Sequence, residues 1–349
     1  MSLMVIMVLT VMLTILLVTA CRVLPGEKWQ FLGTVPDRKI SDRVWDGINL
    51  TWYGLLTANA YTFAVAVWIV LTGSLFVYPA VTVAVAVVLL AVCMPASRWV
   101  ARIVEKKPYT FSVGGASFVG MIMAPWVMMA VIRIQDPTAS GASMVIPMMA
   151  ALSIAYAFGE GMGRLACISF GCCYGRPLDK ASPWIRRLFD RWAFVFYGHT
   201  RKIAYADRLD GKKVIPVQAL TYAVNCGAGL IGMGCFLYGN FALSFVAGLT
   251  ITQLWRFVSE FLRADYRGNR HISIYQYMTL VSIAYGLAIT VLFPVDIRMT
   301  VDIAGGLKGL WNPALILGLQ LLWLVTFVYT GRSRVTGATI SFRVHRDRV

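Results

Sequence analysis

Nine long apolar runs constrain this chain more than any other feature. They cover residues 2–24, 53–73, 75–97, 113–135, 143–170, 215–238, 241–262, 274–294 and 310–331. A helix needs about 20 apolar residues to cross the hydrocarbon core of a bilayer. A bilayer offers no water to spare backbone groups, so runs of this length read as helices. Over 349 residues, 58% are hydrophobic and only 14% charged. That composition excludes a soluble globular enzyme. The expected fold is an all-α polytopic membrane protein of about nine transmembrane helices with a small extramembrane head. The net charge of +16 then points to anionic lipid as partner, not to nucleic acid. Within the first run, Leu17–Cys21 resembles a lipobox. The basic region that opens a signal peptide is missing, so an uncleaved first helix is expected.

The charges that fall inside the runs are few and therefore informative. A charge at membrane depth is costly and faces a bundle interior or a wet cavity. Arg164 closes the fourth core run, within the stretch Gly163-Arg164-Leu165-Ala166-Cys167-Ile168-Ser169-Phe170-Gly171-Cys172-Cys173-Tyr174-Gly175-Arg176-Pro177. Arginine beside glycine-rich backbone suits a phosphate, because its fork of donors matches phosphate oxygens. Arg256 and Glu260 sit four residues apart in the run 241–262, on one helix face and able to pair. The seven cysteines lie mostly in apolar runs and are expected as buried, unpaired thiols. Cys167, Cys172 and Cys173 follow a C-x4-C-C spacing that matches no common zinc pattern, so no metal and no cofactor are expected.

The central stretch resembles the signature of the prolipoprotein diacylglyceryl transferases, roughly G-R-x-G-N-F-x-N-G-E-x-x-G-R. Gly163, Arg164, Gly171, Gly175 and Arg176 match it, while Cys167, Phe170 and Cys172 stand where the family has Asn, Asn and Glu. Further weak motifs follow in the family's order. They are Trp52-Tyr53-Gly54-Leu55, Gly114-Gly115-Ala116-Ser117-Phe118, Trp192–Gly198, Pro216-Val217-Gln218, Arg256-Phe257 with Glu260 and Arg263, and Ile272-Ser273 with Gln276. The series covers about residues 49–294. The resemblance divides the chain into an extra amino-terminal helix and polar loop (1–48), a seven-helix transferase-like core (49–294) with its head at 171–214, and an extra carboxy-terminal helix and basic tail (295–349).

The resemblance implies a membrane enzyme that moves a diacylglyceryl group from phosphatidylglycerol to a cysteine thiol of a lipoprotein precursor, in the bacterial inner membrane. Arg164 and Arg256 would hold the phosphate and Glu260 would hold Arg256. Tyr53 and Gln218 would orient the headgroup, and Cys167, Cys172, Gly175 and Arg176 would line its site. One departure cuts against this. Val119 stands where the family has a functional His, and an isopropyl group moves no proton. His271 is near the expected face but comes from a different loop. A homologue that binds anionic phospholipid without lipoprotein transfer is the alternative.

Two further expectations concern the loops. Residues 25–50 read as a loop with a short helix near Asp42–Trp45, and the apolar content of 171–214 predicts a compact head with an amphipathic helix at Trp184–Phe189. If all nine runs span, 27 of the 32 Lys and Arg lie on one face, which the positive-inside rule assigns to the cytoplasm. The family resemblance implies the opposite, outer face for the same loops.

Overall fold

The structure, a computed structural model, describes residues 2–104, 113–135, 141–264, 272–295 and 299–349. Nine of its helices are long and apolar enough to cross a membrane. These are α1 (Ser2–Val23), α2 (Trp52–Gly73), α3 (Pro79–Val104), α4 (Val113–Gln135) and α5 (Ala142–Phe170), then α8 (Val217–Leu237), α9 (Phe241–Leu262), α10 (Ile274–Leu292) and α12 (Pro313–Gly331). Three short helices complete the set: α6 (Pro183–Phe189), α7 (Lys202–Asp207) and α11 (Ile303–Leu310). The chain is a helical, multi-pass membrane protein. Helix α3 runs past the expected end at residue 97, carrying Arg98 and Arg102 in its last turns. Helix α11 was not legible as an apolar run; its Gly306 lies against the Val70 carbonyl of α2.

Helix α5 is the axis of the bundle, in contact with α2, α4, α8 and α9. Lipid tails are as apolar as leucine, so membrane helices associate through close packing, which small residues permit. Gly159 faces Ala60 and Ala64 of α2, Gly161 faces Cys226 of α8, and Gly248 of α9 faces Ser153. Helices α1 and α12 lie outermost, and few of their side chains are buried. Helix α12 still crosses α2 at very short range, where a Cβ on Gly54 would fall 2.1 Å from the Gly331 Cα.

The extramembrane part corrects the expected loop at 25–50. Strands β1 (Phe31–Ser41) and β2 (Val44–Thr51) form a hairpin turning at Asp42-Arg43, with no helix near Asp42–Trp45. Strand β5 (Arg332–Ser341) adds to it antiparallel, with Trp45 opposite Ile340 and Gly47 opposite Ala338. Most of the expected basic tail is therefore a sheet strand. Alternating Ile340, Ala338 and Thr336 with polar residues is a strand pattern. Its partner lies some three hundred residues earlier, so nothing local marks the pairing.

Residues 171–214 form a compact unit. Strands β3 (Phe194–Val195) and β4 (Lys213–Val214) pair, and Phe194, Phe196, Ile203 and Val214 are buried. Arg201 pins the unit to the bundle. It is fully buried and donates to the carbonyls of Ile168 (3.1 Å), Leu24 (3.0 Å) and Gly26 (2.6 Å). Burial pulls its guanidinium down to about 10, which leaves it charged at neutral pH. Helix α6 divides as an amphipathic segment should: Ile185 and Phe189 pack inward, while Trp184 and Leu188 stand exposed.

Candidate functional site

The polar site follows from the face of α5 that carries Tyr156, Glu160, Arg164 and Cys167. Spacings of four and three residues stack these side chains along one stripe. Arg164 forms an ion pair with Glu160, and both are nearly buried. Its Nε is buried and has no hydrogen-bond partner among the described residues. The space beside the neighbouring Gly163 is open, with no atom within 4 Å of where a Cβ would sit.

Arg256 reaches this stripe from α9. Its Nη1 donates to the Tyr156 hydroxyl (3.0 Å) and to the Ser117 hydroxyl of α4 (3.1 Å). Its Nη2 would lie 3.2 Å from a Cβ on Gly114, so glycine there lets the guanidinium in. No carboxylate among the described residues pairs with Arg256. The expected pairing with Glu260 is not formed. Glu260 instead accepts from Ser273, which also caps α10 through a reciprocal bond with Gln276. A side chain one turn further along α9 points to the start of α10, whereas the longer Arg256 crosses to α4 and α5.

The end of α5 gathers three cysteines. Gly171 adopts a left-handed conformation at φ 67°, the Cys172 amide bonds to the Cys167 carbonyl (3.1 Å), and the Gly171 amide to that of Ile168 (3.2 Å). This is a Schellman reversal, which folds the chain back over the last helical turn. Cys173 is itself left-handed at φ 55°. As a result the sulfurs of Cys167, Cys172 and Cys173 all lie within 4.8 Å of one another. Hydrogen bonds from the Cys167 and Cys172 thiols, with Arg263 and Arg164 adding, draw the Cys173 thiol down. Tyr53 is within electrostatic reach of all three thiols, and its ring packs on Phe170 at 5.5 Å. Gln218, at the start of α8, donates to the Cys172 carbonyl at 2.9 Å.

The remaining expected residues have structural surroundings. Gly175 lies between two segments of backbone, where a Cβ would come within 2.3 Å of the Ile215 carbonyl oxygen. Arg176 is exposed, and its Nε makes a long bond to the Arg263 carbonyl (3.4 Å). Val119 lies on α4 two residues beyond Ser117, and His271 falls outside the described residues. Glu160 and Tyr156 were not singled out from sequence, and Ser117 entered only as part of the motif at 114–118. Glu160 alone carried a signal, as an acid four residues before Arg164. Neither a scan against models of known protein families nor a search of curated protein sequences returns a match for this chain.

Proposed function

We propose that the chain is a membrane-embedded lipid transferase of the diacylglyceryl transferase kind, with phosphatidylglycerol as donor and the cysteine thiol of a lipoprotein precursor as acceptor, in a bacterial inner membrane. One observation carries this reading: Arg256 lies inside the bundle on two neutral hydroxyls, with no described carboxylate to cancel its charge. A desolvated cation on neutral partners suits a ligand anion, and its planar fork suits a phosphate. Arg164 adds a donor already balanced by Glu160, beside the open space at Gly163.

In the reaction the acceptor sulfur bonds to the glyceryl carbon. The carbon–oxygen bond to phosphate breaks, and glycerol phosphate leaves with the electron pair and takes up the thiol proton. Cations fixed where that charge grows lower the barrier. Val119 takes no proton, which favours a second reading: a homologue that holds anionic phospholipid without transfer.

The test pairs binding with complementation. Native mass spectrometry is expected to show phosphatidylglycerol retained over phosphatidylcholine, and Arg256→Ala to reduce that retention at least tenfold. The wild-type chain is expected to rescue cells depleted of their lipoprotein diacylglyceryl transferase. Equal retention of the two lipids overturns both readings. Selective retention without rescue leaves the second.

A further inference from the structure

We propose that Cys167, Cys172 and Cys173 form a three-thiolate site for a soft d10 cation, Zn2+ or Cu+. Three thiolates bound to one metal at about 2.3 Å in a trigonal arrangement lie about 4 Å apart. Cys167 Sγ and Cys173 Sγ are 4.0 Å apart, and Cys172 Sγ completes the triangle within 4.8 Å. The C-x4-C-C spacing fits no familiar zinc knuckle because those knuckles use a different turn. Here the reversal at Gly171 and the left-handed Cys173 bring the second and third sulfurs back onto the first. A cysteine held in the left-handed region is strained, and such outliers concentrate at functional positions.

The surroundings suit a metal thiolate. Gln218 is 1% exposed and fixes the Cys172 carbonyl, as an outer-shell group should. Its own Oε1 is buried without a partner among the described residues, a buried acceptor that calls for a donor. Cys173 is only partly buried, which leaves an entry path. Sulfur ligands select soft cations over magnesium and calcium. Binding replaces three thiol protons by one metal ion, with no change of oxidation state. Three protein ligands leave a coordination position open, as in catalytic rather than structural zinc sites.

The experiment uses the full chain in detergent, reduced, stripped with chelator and then offered Zn2+ or Cu+ alone. One equivalent of metal is expected by elemental analysis. Cys167→Ser, Cys172→Ser and Cys173→Ser are each expected to weaken binding more than tenfold in chelator competition. A variant with Cys21, Cys93, Cys226 and Cys235 all replaced by Ser is expected to keep it. The two arms separate the cations, since the tighter one survives the stronger chelator. A second readout needs no variant: bound metal is expected to shield these three cysteines from maleimide, mapped by mass spectrometry. No bound metal, binding that persists in the triple Cys→Ser variant, or unshielded labelling at all three positions overturns the site. A negative result leaves the phospholipid reading intact, because Arg256 and its hydroxyl partners take no part in the test.

Discussion

Arg164 and Arg256 look alike in sequence, each an arginine near the end of an apolar run, yet they occupy different electrostatic situations. Arg164 is balanced by Glu160 within its own helix, whereas Arg256 hangs on Ser117 and Tyr156 from two other helices. Removing one hydroxyl partner should therefore loosen Arg256 without discharging it. Tyr156→Phe loses a hydrogen bond to a charged group, worth about 1.5–3 kcal/mol. The expected outcome is phosphatidylglycerol retention reduced about tenfold or more, read by native mass spectrometry, with phosphatidylcholine retention unchanged. The glycines of the same stretch also part company. Gly175→Ala forces a Cβ against the Ile215 carbonyl, which cannot rotate away, and is expected to cost about 3 kcal/mol. Gly163→Ala meets open space inside a helix and is expected to gain up to about 1 kcal/mol. Thermal unfolding followed by tryptophan fluorescence should thus lower the midpoint for the first and raise it for the second.

At the scale of elements, the head depends on Arg201. Three carbonyls from two segments of backbone, Leu24 and Gly26 before the sheet and Ile168 at the end of α5, converge on this one guanidinium. Arg201→Ala leaves buried carbonyls unpaired and is expected to cost about 3 kcal/mol or more. Trypsin should then cut within 171–214, while the same segment of the wild-type chain resists. Rapid cutting there in the wild type would refute the compact head. The helices were legible because apolar length alone identifies a span, without any knowledge of neighbours. The sheet was not. Strand β5 meets β2 across nearly the whole chain, and β1 is largely exposed, so no local pattern betrays the pairing. The cysteine triangle was hidden for a related reason, since its geometry depends on a left-handed turn that residue spacing does not express.

At the scale of the molecule, the contacts tie three distant regions to one face of the bundle. Strands β2 and β5 join residues 44–51 to 332–341, the Ser169 hydroxyl donates to the Trp29 carbonyl (2.6 Å), and Gln30 exchanges hydrogen bonds with Thr200. The cysteine turn and the ends of α5 and α9 lie on this same face. If all nine runs span, alternation along the sequence assigns 27 of the 32 Lys and Arg to the side of these loops. Short loops of such charge are retained in the cytoplasm, and the strands that bind them to one another carry the bias over to the whole face. The charge distribution alone points to a cytoplasmic site, whereas the proposed transfer to lipoprotein precursors requires the outer face. If the charges decide, a fluorescent protein fused after Val349 fluoresces and alkaline phosphatase at the same junction stays inactive; the proposed transfer to lipoprotein precursors expects the reverse. Since β5 pairs with β2, and Gln30 just before the sheet bonds to Thr200 of the head, one reporter position scores all three regions together. Active phosphatase would put the site outside, where lipoprotein precursors emerge, and would remove the topological argument against them as acceptors. Inactive phosphatase with a bright fluorescent fusion would restrict the acceptor to thiols found on the inner side of the membrane.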